Sequence, residues 1–384
     1  MRRKVASRLE MFKIERRNRM YCSKCGQKNP DGLQVCRACG AALIQSTTQV
    51  PNLGIKTSGM AIAALVFGIL SIFTCTLTAI PAIILGIVSL VKIEKSGGSL
   101  TGRGFAIAGI VVPSVTLPLI ALLMGILMPA LARTRQVAFR MVCGTNLSGI
   151  GKAMEIYAGD YDEAFPRSGG TDSIWSKNIP NYKATNRYAA YGVKADGSGG
   201  QANISSCFYL LVKYTAVTPK SFICKGDDGA TEFNPAKEGV SGQELIDFWD
   251  FGSKPSTHCS YSYHQPFSKF PLTASSDPGM AVAADRNPLQ DSPAAAAKSW
   301  PGIYSPNGGR EAVRYGNAIA HQEDGQNVLF VDGHVGFEKR PFCGINDDNI
   351  YTFWDGGDIR IGAAPIIGSQ PEDRLDSFLV DDGS

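Results

Sequence analysis

Residues 131–166 read LARTRQVAFRMVCGTNLSGIGKAMEIYAGDYDEAFP, and they decide how the chain is organised. Apolar and aromatic side chains recur through the second half of this stretch at steps of three and four residues: Leu147, Ile150, Met154, Tyr157 and Tyr161. Such spacing is typical of an α-helix that lays one face on a core. We therefore predict a long helix over residues 118–165, packed on a domain formed by residues 166–384.

Two apolar segments precede that helical stripe. Residues 59–91 carry no charged side chain, and neither does GFAIAGIVVPSVTLPLIALLMGILMPALA at 104–132. Each exceeds the ~20 residues that one membrane span requires, so residues 59–132 are predicted to be a transmembrane region. The first segment is too long for one upright helix and short for two, and Pro81 marks the expected bend. Because only Pro129 separates the last span from the stripe, the two should form one helix.

The N-terminal part of the chain is strongly basic, although the net charge of all 384 residues is only +4. Residues 1–20 carry eight Lys and Arg against two Glu, so they form either a basic arm or an extension upstream of a start at Met20. Residues 41–58 are polar and contain Pro51, which predicts a linker.

Four of the ten cysteines lie in YCSKCGQKNPDGLQVCRACG, residues 21–40, as two C-x-x-C pairs: Cys22, Cys25, Cys36 and Cys39. This spacing predicts a zinc ribbon in which four thiolates close a tetrahedral, structural site. Gly26 and Gly40 follow the pairs, where a positive φ turns backbone amides toward the sulfurs. Two disulfides are the alternative, but a basic segment before a membrane span favours the reducing cytoplasm.

Both N-terminal segments resemble known bacterial modules. The cysteine pattern resembles the short zinc ribbons that open many bacterial membrane proteins. AALVFGILS, IPAIILGIVSLVKI and GRGFAIAGIVV, between about 60 and 115, resemble a small two-span membrane domain of unknown function. This resemblance implies a place in the bacterial inner membrane, in contact with lipid, and it implies no chemistry.

The C-terminal region carries β-sheet patterns. QNVLFVDGHVGFEKR, residues 326–340, alternates apolar residues on both sides of Asp332-Gly333, which predicts a β-hairpin. CSYSYHQPF, residues 259–267, alternates aromatic and polar residues, as a half-buried strand does. The predicted fold class is therefore a multidomain membrane protein: a small zinc ribbon, transmembrane helices, and an α+β domain with a long N-terminal helix on an antiparallel sheet.

The order of several sequence blocks resembles a family: residues 129–166, SFICKGD (221–227), CSYSYHQPF, AADRNP (283–288), HQEDGQNVLFVDGHVGF (321–337) and DDNIYTFW (347–354). Over residues 118–355 the chain is similar to type IV pilins and pseudopilins of the prepilin type, abundant in planctomycetes and related bacteria. Their C-terminal motif places a His ahead of Asp-Gly, as His321 precedes Asp332-Gly333 here. The resemblance implies a pilin-like, type II secretion-like subunit that packs against copies of itself or other pilin-like subunits.

The chain departs from the prepilins at their processing site. Gly104-Phe105 could serve as a cleavage pair. The fifth residue counted from Phe105 is Gly109, however, whereas prepilins share a Glu at that position. No acidic residue occurs between Phe105 and Arg133. We therefore expect an unprocessed chain that keeps all its modules.

No catalytic motif supports an enzyme, because the sequence lacks a G-x-S-x-G turn, an HExxH pair and a phosphate loop. His321 and Asp332 are the weaker candidates for metal or catalytic work. His321 and His334, which flank the first predicted strand of the hairpin, are expected to tie a loop to a turn. Two acidic pairs, Asp227-Asp228 and Asp347-Asp348, offer oxygen ligands for calcium.

The remaining cysteines bear on the compartment. Cys207 and Cys224 could close a short disulfide loop, and Cys259 and Cys343 are either free or a second pair. Such bridges would suit a domain outside the cytoplasm.

The charges leave the topology open. Lys92, Lys95 and Arg103 favour a cytoplasmic loop between the spans, the basic N-terminus favours a cytoplasmic start, and the arginines after residue 132 favour a cytoplasmic exit. Two simple spans cannot obey all three. If residues 59–91 cross twice, the ribbon and that loop are cytoplasmic and the C-terminal domain is extracytoplasmic, which is the arrangement we favour. The predicted function is a membrane-anchored structural or assembly protein whose zinc ribbon docks an unidentified protein. The alternative is a membrane sensor whose ribbon and basic arm bind nucleic acid or a protein partner, and the sequence favours protein over nucleic acid.

Overall fold

The computed structural model describes these residues: 19–30, 33–43, 56–73, 77–239, 242–300 and 302–383. Most of the predicted basic arm and most of the predicted linker lie outside them. The chain divides into two compact units, Met1–Met124 and Gly125–Ser384, which are described separately.

Within its described residues, the first unit contains a small hairpin followed by helices. Strands β1 (Arg19–Tyr21) and β2 (Lys28–Pro30) pair antiparallel. The next elements are β3 (Lys56–Thr57), α1 (Gly59–Phe73), α2 (Ala79–Lys95), β4 (Leu100–Thr101) and the start of α3 (Arg103–Asp160). Strands β3 and β4 pair in parallel, and the Ser58 amide donates to the Thr101 carbonyl over 2.9 Å. The start of α1 therefore lies beside the connection between α2 and α3.

Small residues pack the helices of this unit together. Among the described residues of these helices, five alanines are buried: Ala61, Ala64, Ala79, Ala82 and Ala106. A Cβ added at Gly109 would lie 2.7 Å from the backbone carbonyl carbon of Ala64, so only glycine allows α1 and α3 to approach this closely. Large apolar side chains such as Val66 and Ile84 are more than half exposed instead. Small residues inside and large apolar residues outside are typical of helices packed within lipid.

The bend predicted at Pro81 is wrong. Helix α1 ends at Phe73 and α2 begins at Ala79, so Pro81 is the third residue of α2. Proline is tolerated in the first turn because amides there have no carbonyl partner within the helix. Helix α3 also continues through Pro129 without ending, as expected.

Among the described residues, one helix is long and apolar enough to cross a membrane by length and composition, and it is α3. Helices α1 and α2 have 15 and 17 residues and are shorter than an ordinary span.

The second unit contains a five-stranded antiparallel sheet with strand order β10-β9-β8-β7-β11. Its strands are β7 (Tyr261–His264), β8 (Ala281–Asp285), β9 (Gln326–Phe330), β10 (Val335–Glu338) and β11 (Leu379–Val380). The predicted hairpin is confirmed as β9 and β10. The strand in CSYSYHQPF is also present, but all four residues of β7 are buried, because the sheet is covered on both faces.

Shorter elements complete the unit. They are β5 (Ile174–Trp175) paired in parallel with β6 (Gln201–Ala202), α4 (Arg187–Tyr191), α5 (Ile204–Tyr214) and α6 (Arg310–Arg314). Among the described residues of this unit, five short 3₁₀ helices lie at Pro219–Phe222, Leu245–Asp247, Pro255–His258, Ile319–His321 and Ile345–Asp347.

The helical stripe packs on the core of this unit. Leu147, Ile150, Met154 and Tyr157 are buried, whereas Tyr161 is 41% exposed, lies beyond the helix end at Asp160, and stacks on Tyr157 at 4.1 Å between ring centroids. Two glycines allow β9 to lie close to the helix. A Cβ added at Gly151 would lie 2.7 Å from Leu329 Cδ1, and one added at Gly144 would lie 3.1 Å from Asn327 Oδ1. The predicted packing of this helix on the domain is confirmed for its first four stripe residues.

The C-terminal end is part of the domain, although no sequence block marked it. Strand β11 pairs with β7 at the sheet edge. The Asp382 carboxylate accepts hydrogen bonds from the amides of Ile204 and Ser205, over 2.8 and 2.7 Å, at the start of α5. This contact satisfies amides that a helix leaves unpaired in its first turn.

Candidate metal centre

The four cysteines of residues 21–40 meet in space. The Sγ atoms are 3.6 Å apart for Cys22 and Cys39 and 3.7 Å apart for Cys25 and Cys36. All four sulfurs lie within 4.8 Å of one another. A tetrahedral zinc site with Zn–S distances of ~2.3 Å has sulfur–sulfur edges of about 3.8 Å, so the four residues fit the ion. None of the four is bonded to another, which agrees with the metal-site prediction rather than the disulfide alternative.

The turn geometry predicted at the two glycines is confirmed. Gly26 has φ of +72° and Gly40 has φ of +66°, a region that side chains other than glycine rarely adopt. Their amides donate to the carbonyls of Cys22 and Cys36, both over 2.9 Å. Each turn thereby brings the two cysteines of a pair to one side.

Backbone amides favour the thiolate form of two of these ligands. The Ala38 amide lowers the pKa of Cys36 to about 6, and the side chain of Asn29 adds to this effect from 3.4 Å. The amides of Lys24 and Cys25 lower the pKa of Cys22. Asn29 is buried, and its Oδ1 accepts from the Arg37 amide over 3.2 Å. Sequence reasoning missed Asn29, because an asparagine between two cysteine pairs has no distinguishing spacing.

The acidic pairs predicted as calcium ligands serve other contacts. Asp227 is buried against Arg286, with Oδ2 3.4 Å from Nε, and Asp348 accepts from the Ser377 amide over 2.6 Å. In the part of the chain that the structure describes, two side-chain groups are close enough to hold an ion, and neither includes an Asp227-Asp228 or Asp347-Asp348 pair. Calcium is therefore not supported.

The pKa of Asp348 makes the stability of the C-terminal domain depend on pH. Burial, with Asp376 adding repulsion, raises this pKa from 3.8 to about 8. The folded state thus holds a proton that the unfolded chain releases, so stability is lost as pH rises through this interval up to about 8. We expect the urea midpoint to fall between pH 6 and pH 8, and Asp348→Asn to flatten that fall. Equal slopes in parent and variant would contradict the assignment, and exposed Asp196→Asn is the control.

The contact expected between His321 and His334 is wrong, because each histidine pairs with a different aspartate. His321 Nε2 lies 3.0 Å from Oδ2 of Asp285, whereas Asp332 pairs with its neighbour His334. The reason is topological. Asp332 lies in the turn after β9, and His321 ends a 3₁₀ helix before β9, beside the last residue of β8.

The disulfide considered between Cys207 and Cys224 is also wrong. Cys224 is bonded to Cys143 of α3, 81 residues away, with their Cα atoms 5.3 Å apart. Cys207 is buried on α5, with Sγ 3.2 Å from the Ser168 hydroxyl. Cys259 and Cys343 are free. Proximity in sequence was misleading because the bridge joins the long helix to the segment that follows the 3₁₀ helix Pro219–Phe222.

Comparison with known families agrees with the first two modules. Residues 21–43 match the family described as a zinc-ribbon domain. Residues 60–128 match a domain of unknown function, DUF4190. Neither match reaches the C-terminal domain, and no curated protein or solved structure matches the chain.

These observations define the class of the protein at a coarse level. It is a multidomain chain with a zinc-binding ribbon at Cys22, Cys25, Cys36 and Cys39, one helix able to span a membrane, and a sheet-containing C-terminal domain.

Proposed function

We propose that this protein is a membrane-anchored, pilin-like structural or assembly subunit of the bacterial inner membrane, with a cytoplasmic zinc ribbon and an extracytoplasmic C-terminal domain. The observation that carries the proposal is helix α3. It has 58 residues, a length of about 87 Å at the usual rise of ~1.5 Å per residue. Its first part is apolar and exposed, and its last part packs on an antiparallel sheet. That division of one helix is the architecture of pilins and pseudopilins.

Exposed apolar side chains continue along α3 beyond the first unit. Leu131 is 70% exposed and Met141 is 69% exposed, and Ile126 and Val137 are also more than half exposed. A contiguous apolar surface of this kind marks a site of contact with protein or membrane. Lipid covers the first part in our proposal, and neighbouring pilin-like subunits cover the rest.

We propose a membrane bundle of three crossings for the first unit, in which α1 and α2, with 15 and 17 residues, are short crossings. Helices α1 and α2 expose their large apolar side chains and bury alanine and glycine, as lipid-embedded helices do. The pairing of β3 with β4 brings Lys56 beside Leu100, at the same end of the bundle as Arg103. If this end of the bundle faces the cytoplasm, these basic residues obey the positive-inside rule and the end of α3 lies outside.

The disulfide between Cys143 and Cys224 supports the same orientation, because structural disulfides persist outside the cytoplasm. The ribbon, with four protein ligands and no open coordination position, serves as a structural docking module for a protein partner. A non-enzymatic role remains our proposal for the whole chain.

Photo-crosslinking in membranes tests the assembly role. A benzoyl-phenylalanine placed at Leu131 or Val137 should give protein adducts with a second copy or another pilin-like subunit, because both positions are exposed on α3. The same residue at the exposed loop position Ala195 is the matched control and should give none. Adducts with lipid alone at both helix positions would contradict assembly through this helix.

A nucleic-acid binding experiment separates the sensor alternative from the assembly role. The basic residues 1–18 lie outside the described residues, so the structure offers no observation in its favour. A sensor of this kind should bind DNA or RNA with steep salt dependence through residues 1–59. Absence of binding at low salt removes it.

A further inference from the structure

Four side chains with metal-ligand chemistry meet inside the C-terminal domain. Cys143 comes from α3, Cys224 follows a 3₁₀ helix, Asp285 ends β8, and His321 ends another 3₁₀ helix. Their ligand atoms all lie within 4.8 Å of one another. All four are buried, with at most 3% of any residue exposed. Residues separated by up to 178 positions therefore form one compact donor set of two sulfurs, one nitrogen and one oxygen.

The carboxylate of this cluster lacks a complete set of partners. Oδ2 of Asp285 lies 3.0 Å from His321 Nε2 and accepts from the amide and side chain of Asn327 over 2.6 and 2.9 Å. Oδ1 is buried and has no hydrogen-bond partner among the described residues. A buried carboxylate with an unpartnered oxygen is costly unless a cation is close. His321 alone does not meet this need, because it faces the other oxygen.

The disulfide accounts for the two sulfurs and leaves the rest unexplained. A bridge between Cys143 and Cys224 needs neither an imidazole nor a carboxylate, yet His321 Nε2 lies 3.7 Å from Cys224 Sγ. Gly226 lets the two loops approach, since a Cβ there would lie 2.1 Å from the Ala320 carbonyl oxygen. The Gly226 amide also donates to Cys224 Sγ over 3.4 Å. The imidazole is thus held against the sulfur by the backbone.

We propose that reduction of the Cys143–Cys224 bridge opens a site for a thiophilic divalent cation, with Zn²⁺ as the best fit. The ligands are the two thiolates, Nε2 of neutral His321 and one oxygen of Asp285, a tetrahedral set that zinc prefers. A dithiol supplies two electrons and two protons to the bridge and becomes a disulfide itself. The cation then displaces the two thiol protons, which leave to solvent.

The surroundings suit such a site. Asn327 holds the carboxylate from outside the donor set, as partners of metal ligands commonly do. A cavity of about 480 Å³ has Gly226, Arg286 and His321 in its wall, so one side of the cluster, at His321, borders this space. Because the bridge and the metal need the same sulfurs, the two states exclude each other.

Cobalt titration of the full chain tests this proposal. All four ribbon cysteines are first changed to Ser, so that the N-terminal site is removed. After reduction with a phosphine, Co²⁺ should bind one ion per chain and give a thiolate-to-cobalt absorption band with tetrahedral d–d bands. The same protein with the bridge intact should give neither.

Variants identify the ligands. His321→Ala and Asp285→Asn should each weaken or abolish the cobalt spectrum, whereas His334→Ala, at an exposed histidine, should leave it unchanged. Far-UV circular dichroism of the oxidised variants checks that they fold. If a variant does not fold, the cobalt spectrum of the reduced parent still shows whether the site binds a metal ion. A folded, reduced parent that binds no Co²⁺, or binding that survives loss of either His321 or Asp285 unchanged, overturns the proposal.

Discussion

Arg286→Ala is expected to destabilise the C-terminal domain by about 3–5 kcal/mol, the usual cost of removing one partner from a buried ion pair. Arg286 is 5% exposed and lies between two buried carboxylates. Its Nε is 3.4 Å from Asp227 Oδ2, and its Nη1 is 3.8 Å from Asp381 Oδ1. One further nitrogen donates to the carbonyls of Ser256 and Cys259. Alanine would leave both carboxylates buried without their cation.

Urea unfolding in detergent, followed by tryptophan fluorescence, measures this loss. All four tryptophans lie in the C-terminal domain, so the signal reports that domain: Trp175, Trp249, Trp300 and Trp354. Arg310→Ala, at an exposed helix start, is the matched control and should change stability by no more than about 0.5 kcal/mol. An Arg286→Ala loss below about 1 kcal/mol would show that the network does not hold the C-terminal end in place.

Cys36→Ser is expected to remove one zinc ion per chain relative to the parent under the same reducing conditions. The remaining three sulfurs cannot close the site, and a module of this size has too little core to fold without its metal. Asn29→Ala should weaken zinc binding about 10-fold, in the range typical of residues that support metal ligands. Its side chain contacts Cys36 Sγ at 3.4 Å.

Metal content after chelator competition measures both effects in the full-length chain. Ser23→Ala changes an exposed residue next to Cys22 and should leave zinc unchanged. Membrane insertion should be the same in every variant, because the helices insert by their own hydrophobicity. A Cys36→Ser protein that holds zinc as tightly as the parent would refute the four-thiolate site.

Features set by short-range patterns could be predicted from the sequence. The cysteine pairs, with a glycine after each, determine two tight turns by local geometry alone. The apolar stripe of residues 147–157 and the Asp332-Gly333 hairpin likewise depend on neighbours within a few positions. For the same reason the predicted metal ligands of the ribbon lie where their spacing placed them.

Features that depend on contacts between residues far apart in the sequence could not be predicted. Cys143 lies in an ordinary helical sequence, and only the packing of α3 brings it to Cys224. His321 was paired with His334 because the two flank one predicted strand, yet the sheet order places Asp285 beside His321. The C-terminal aspartates offered no pattern at all, because their partners, Arg286 and the start of α5, lie about 95 to 180 residues away. Proline at position 81 was given too much weight, since it is harmless in a first helical turn.

The side of the membrane on which the C-terminal domain lies tests the central proposal most directly. Single cysteines are introduced at exposed positions, Ala195→Cys in the C-terminal domain and Ser99→Cys between α2 and α3, and intact spheroplasts are treated with a membrane-impermeant maleimide. Peptide mapping separates these sites from the native thiols. We predict that residue 195 is labelled in intact spheroplasts and residue 99 only after permeabilisation. Labelling of residue 195 only after permeabilisation would place the domain in the cytoplasm and contradict a pilin-like role.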